Sequence, residues 1–324
     1  MLKRISVYIC WLCISCFVLQ GCAEKDEIYT IGISEFTEDP TTKEAEKGFI
    51  DAFIDSGIEP DKDARFVVVN AQGDFPTVNS IAHKFVSDKV DMICCLATPS
   101  LQASMNATSD IPIVFSRVAN PFLAGAGTSP TDHLPNVTGV ATSSPFEETI
   151  ALLKQLLPEA KAIGTLWVPS ETNSEYYMKM QKEAAEEAGL KTVTVPINST
   201  SEISDASVTL VGKDIDAIYQ ISDNLTSLGF EAEVKAANEA GIPVFCNQSP
   251  EVERGAAVGL AWDFYDAGYE GGKIAIRVMK GENPRDIPIQ SMKGARLTVN
   301  LKAAKTQGLT IPEEVVKRAE KVFE

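Results

Sequence analysis

Six polar side chains lie where an apolar strand pattern gives way to a helical one: Thr98, Ser100, Asn173, Ser174, Asp223 and Asn224. At such junctions the first helical turn leaves backbone N–H groups unpaired and carries a partial positive charge. Hydroxyls and amides placed there can hold an anionic group of a ligand, or they can cap their own helix. Acceptors for a cationic group are Asp223, Asp263 and Glu35; for Asp223 the bland alternative is again a helix cap, and for Glu35 an exposed surface position. Phe36, Trp167, Trp262 and Phe264 could wall an apolar ligand group or belong to the core. Arg117 and Asn120 follow another strand; Arg117 could pair with a carboxylate or bridge two parts of the fold.

This is chemistry of binding more than of turnover. The chain has two histidines, His83 and His133, and no Gly-x-Ser-x-Gly elbow, Walker loop or His-Glu-x-x-His. Val211-Gly212-Lys213 lacks the preceding glycine of a phosphate loop. Cys94, Cys95 and Cys246 lie inside apolar strand patterns, far in sequence from either histidine. They read as buried thiols, and neither a metal nor a cofactor is expected. The formal net charge of −16 argues against a nucleic-acid partner, which needs clustered Lys and Arg.

The elements that carry these loops alternate strand and helix from Ile28 onward, which predicts α/β lobes built on parallel sheets. The plan occurs twice. Under a shift of 125 positions residues 76–93 fall on residues 201–218, apolar position on apolar position, with Asp91 on Asp216. Each copy is followed by an Ile-Pro strand, Ile111-Pro112 and Ile242-Pro243. The same shift places Thr98 on Asp223. Ligands of open parallel sheets sit beyond the carboxyl ends of the strands, so two such lobes predict a shared cleft between matching loops.

Ahead of the first strand stands a different signal. Lys3 and Arg4 precede an apolar run from Ile5 to Leu19, which ends in Leu19-Gln20-Gly21-Cys22. The run is shorter than the ~20 residues of a comfortable transmembrane helix and has the order of a secretory signal. Its end resembles a bacterial lipobox, which implies removal of residues 1–21 and lipidation of Cys22, with residues 22–27 as a tether. Cleavage as a soluble export signal is the alternative.

Several further segments stand in a familiar order: Ala71-Gln72-Gly73-Asp74, Ala97-Thr98-Pro99-Ser100, Val137-Thr138-Gly139-Val140, Asn173-Ser174, Asp223-Asn224, Ala237-Asn238-Glu239-Ala240-Gly241 and Ile311-Pro312-Glu313-Glu314. Together they resemble the ABC transporter substrate-binding proteins that include tryptophan- and tyrosine-uptake components. The resemblance implies a type I periplasmic-binding fold: two Rossmann-like lobes with parallel sheets and three crossovers. Lobe 1 would hold residues 28–141 plus 265–292, and lobe 2 residues 142–264 plus 293–324. It also implies a monomer, lipid-anchored outside the cytoplasm, that hands a small molecule to an ABC permease and its ATPase. The best ligand is an amino acid, aromatic or apolar, held by Glu35, Phe36, Thr98, Ser100, Asn120, Asn173, Ser174, Asp223, Asn224 and Asp263, with Asp223 the first choice for the ammonium. Two departures stand out. Val168-Pro169-Ser170-Glu171 replaces the Tyr-Asn-Pro start common in the family, and the first loop carries two acids, Glu35 and Glu38. A nucleoside or sugar ligand, or a sensory protein reporting to a membrane receptor, are the alternatives.

Overall fold

The structure, a computed structural model, describes residues 28–324. The signal segment and Cys22 therefore lie outside the described residues. Among those described, no helix is long and apolar enough to cross a membrane.

Two large sheets organise the chain. The first has six strands, all parallel, in the order Gln290–Ser291, Val137–Ala141, Ile113–Val118, Met92–Leu96, Tyr29–Glu35, Ala64–Asn70. The second has seven, in the order Lys321–Phe323, Arg296–Asn300, Val258–Ala261, Val244–Cys246, Ala217–Gln220, Ala162–Trp167, Lys191–Pro196. Helices cover both faces of each sheet, so the central strands are apolar throughout; Met92–Leu96 is buried at every position. Its neighbouring thiols point to opposite faces, Cys95 into one core layer and Cys94 into the other, and both are free.

The expected fold is the one observed, with three chain crossings between the sheets. Within the two large sheets one pairing departs from the all-parallel expectation: Val258–Ala261 and Arg296–Asn300 run antiparallel. The crossings explain it. The chain leaves the second sheet after Ala261, runs through the helix Phe264–Met279, and ends the strand Gln290–Ser291 again at the gap between the sheets. It then re-enters the second sheet from the gap side and must run away from it.

The duplicated residues have duplicated roles. Asp91 accepts from the Thr30 N–H at 2.7 Å, and its own N–H donates to the Thr30 carbonyl. Asp216 accepts from the N–H groups of Lys161 and Ala162, and its own N–H donates to the Ala162 carbonyl. Pro112 and Pro243 each give a carbonyl to the matching strand, taken by Ile93 and Ile218 at 2.9 Å. All four stand at the amino ends of the strands, where a proline without N–H does no harm to the ladder.

Two helices of the first lobe lie backbone to backbone. Pro40–Asp55 packs on Phe264–Met279 through Gly48, Gly268 and Gly272. A Cβ on Gly268 would stand 2.0 Å from the Ala45 carbonyl oxygen, and one on Gly48 would stand 2.1 Å from that of Tyr265. Gly268→Val therefore forces the helices apart. The expected loss is about 1–3 kcal/mol of stability, read as a lower urea midpoint at unchanged slope.

Candidate functional site

The gap between the sheets contains a narrow hollow. Ala97, Thr98, Arg117 and Ala119 line it from the first lobe, Asn173, Tyr177, Ser222 and Asn224 from the second, and Thr142 and Phe264 from the crossings. Two of these residues have backbone conformations that L side chains rarely adopt: Ala97 at φ 98° and Arg117 at φ 59°. Ala97 follows directly on the strand Met92–Leu96, and Arg117 lies in the irregular last part of Ile113–Val118, where the register against Val137–Ala141 shifts. Such strain gathers where side chains must be aimed.

Arg117 is the buried charge of the hollow. Its Nη2 pairs with Asp39 Oδ2 at 3.2 Å, and its Nη1 donates to Thr42 Oγ1 at 2.7 Å. Across the gap Nη1 also reaches Asn224 Oδ1 at 3.4 Å, and the guanidinium lies 5.9 Å from the centre of the Phe264 ring. Asp39 caps the helix Pro40–Asp55, accepting from the N–H groups of Thr41 and Thr42. Burial alone would raise the Asp39 carboxyl. Arg117 and the hydroxyls of Thr41 and Thr37 outweigh it and hold the carboxyl below the usual range.

Thr98 opens the helix Thr98–Ala107. Its hydroxyl and that of Ser100 are buried without a hydrogen-bond partner from the protein. Opposite, Asn173 belongs to the helix Thr172–Glu187, as does Tyr177 one turn on, whose hydroxyl donates to the Thr142 carbonyl at 2.7 Å. Glu171, fully buried, accepts from Asn173 Nδ2 and from both the side chain and the backbone of Asn224. Burial raises its carboxyl against these hydrogen bonds.

Thr98, Asn173 and Asn224 thus meet in one place; of the two paired loops, Thr98 and Asn224 reach the hollow and Asp223 does not. Other expected site residues are placed elsewhere. Asp223 does not line the hollow: one oxygen caps Thr226 at 2.8 Å and the other accepts from Ser174 Oγ at 3.1 Å. Burial and the nearby Glu171 push its carboxyl up to about 8. Ser174 in turn accepts from the Val168 N–H. Glu35 is taken by Lys43 and Asn70, and Phe36 packs in the core against Phe75. Asn120 accepts from the N–H groups of Phe122 and Leu123, a local turn. Asp263 caps the helix Phe264–Met279 and pairs with Arg296 at a crossing. Trp262 donates to the Ser143 carbonyl, and Trp167 packs on the core of the second lobe. Tyr177, Thr142 and Glu171 were not foreseen. Tyr177 stands four residues after Asn173 on the same helix, a spacing that shares a face.

With this geometry in view, similarity to known proteins decides the class. The model of the ABC transporter substrate binding protein family matches residues 30–323, and the chain belongs to that family. The tyrosine-binding protein of Clostridioides difficile is 38% identical over 283 residues, covering 86% of this chain and 82% of that one. Among solved structures, an ABC domain in complex with L-Trp from Streptococcus pneumonia is 30% identical with a TM-score of 0.88, covering 91% of this chain and all of that one. A ligand-free, open substrate-binding protein with adhesive properties from Clostridium difficile is 33% identical, covers 91% of this chain and 99% of that one, and reaches a TM-score of only 0.69. This chain has its lobes together, as the contacts of Arg117 with Asn224 and of Gln102 with Thr172 require.

A second acidic group lies behind the site in the second lobe. The carboxylate oxygens of Glu233 and Glu251 are buried without partners. Burial pushes Glu251 up to about 8 although Arg254 opposes it, and Glu233 is raised as well. Because the folded form holds these protons more tightly than the unfolded form, their contribution to stability is complete below the unfolded carboxylate range. It is lost as pH rises through about 8 for Glu251. Calorimetry is expected to show a melting temperature falling from the ordinary carboxylate range up to about pH 8, and Glu251→Gln is expected to flatten that fall.

Proposed function

We propose that this chain is the capture component of an importer, which binds a free aromatic amino acid in the hollow and passes it to an ABC permease and its ATPase. The observation that carries the reading is a buried Arg117 facing Asn173 and Asn224 across a gap with aromatic walls. A guanidinium has five N–H donors, and Asp39, Thr42 and Asn224 do not use them all. Together with the Thr98 hydroxyl and the amino end of the helix Thr98–Ala107, it suits an α-carboxylate. The side-chain carbonyls of Asn173 and Asn224 suit the ammonium, which replaces Asp223 in that role. Phe264 and Tyr177 suit the ring of the ligand.

In this reading the lobes are residues 28–141 plus 265–292 and residues 142–264 plus 293–324. Ligand contacts to both lobes favour the closed state over the open one. Cys22 carries the lipid that keeps the protein, as a monomer, at the outer face of a bacterial membrane. The relatives named for tyrosine and L-Trp support the aromatic choice.

The deciding experiment is a thermal-shift screen of amino acids, nucleosides and sugars, since a ligand that binds only the folded form raises the melting temperature. L-tyrosine or L-tryptophan is expected to give the largest rise; a rise with sugars or nucleosides alone refutes the reading. Thr98→Val sharpens it. Removing a buried hydroxyl that no protein group satisfies leaves the free protein as stable as before or more so. Loss of a hydrogen bond to a charged ligand group costs about 1.5–3 kcal/mol of binding by titration calorimetry.

A further inference from the structure

Glu171 does not line the hollow, yet it holds two residues that do. A single oxygen, Oε2, accepts from Asn173 Nδ2 at 2.9 Å, from Asn224 Nδ2 at 2.6 Å and from the Asn224 backbone N–H at 3.2 Å. The backbone donor settles the role of that oxygen. An N–H can only donate, so Oε2 is an acceptor, and each neighbouring amide must turn its nitrogen toward it.

An asparagine amide is otherwise ambivalent, since it offers donors on one side and an acceptor on the other and can exchange them by a flip. Here the flip is closed to both. Asn224 turns its carbonyl to Arg117 across the gap, and the carbonyl oxygen of Asn173 is buried with no protein partner. Arg117 and Thr98 line the hollow from the first lobe, and Asn173 and Asn224, whose nitrogens are held by Glu171, line it from the second. The second oxygen of Glu171 is itself buried and unpartnered, an arrangement that packing alone does not call for.

We propose that Glu171 is a positioning residue for ligand selection: by holding both amides nitrogen-inward, it makes the second lobe an acceptor face that demands a cationic amino group on the ligand. The inference rests on the amino-acid reading above and adds to it the source of discrimination against ligands that have the carboxylate and ring alone. A site built to receive a donor rejects the analogue lacking it, because its buried acceptor is then left unpaired.

The test is titration calorimetry on the whole protein with L-tyrosine and L-tryptophan, each beside its analogue without the amino group, 3-(4-hydroxyphenyl)propanoate and indole-3-propanoate. The wild type is expected to prefer the amino acid by about a hundredfold or more. Glu171→Met removes the acceptor at similar length, and Glu171→Asp withdraws it from reach while keeping the charge. Both are expected to cut the preference to within about tenfold, chiefly by weakening the amino acid, with the analogue changed little. Glu171→Gln still offers one carbonyl oxygen to the same three donors and is expected to keep most of the preference. If the Met variant does not fold, the Asp and Gln variants decide between them, since a role through charge alone predicts the reverse order. A preference unchanged in the Asp variant, or lost equally in the Gln variant, overturns the inference and leaves the amino-acid reading standing. A wild type that binds neither amino acid overturns both.

Discussion

A full charge held out of water is tolerable only when its partners are close and well aimed, and Arg117 imposes that constraint on the whole cleft. Its anion is Asp39, which also caps the helix Pro40–Asp55. The ion pair therefore ties the end of one strand, the start of one helix and the left-handed backbone at Arg117 into a single arrangement. The helix start that holds Asp39 also supplies Thr42, so the guanidinium is gripped on two sides and its remaining face is turned to the gap. What crosses from the other lobe, Asn224, meets a group whose position is already fixed.

The lobes place these parts by repeating one topology. Apart from Arg296–Asn300 and Lys321–Phe323, the strands of both sheets end at the gap, so the loops that can meet are mainly those that follow strands. The far ends carry the locks that set strand register, Asp91 and Asp216, together with their proline carbonyls. Register and function are thus kept at opposite edges, and each can vary without disturbing the other.

The alternation of elements and the duplication were legible because apolar periodicity and the recurring Asp and Ile-Pro positions are local signals, whereas the crossovers were implied by the family resemblance alone. The loops were legible too, and Thr98, Asn173 and Asn224 stand where their loops predict. Side-chain direction was not. Glu35 ends a strand at the gap and Phe36 follows it, yet one turns to Lys43 and the other into the core. Asp223 and Asn224 are neighbours, but the aspartate meets the capping demand of its own helix and leaves the amide to face the hollow. Arg117 owes its aim to a positive φ that no glycine announces. Tyr177 comes from the side of a helix, where a pattern sought only at strand ends does not look.

The glycine contact between the helices Pro40–Asp55 and Phe264–Met279 has a mechanical consequence. Two helices touching main chain to main chain cannot slide past each other, because no compliant side chains lie between them. The second of them is capped by Asp263 at the crossing and begins at Phe264, so the connector is clamped to its lobe from its first turn. Any opening of the protein must then be taken up as torsion in the few residues of the three connectors. In the proposed closure the lobe carrying Arg117 would move as one lever, and its guanidinium, already oriented by Asp39 and Thr42, would meet the partner lobe with its direction set.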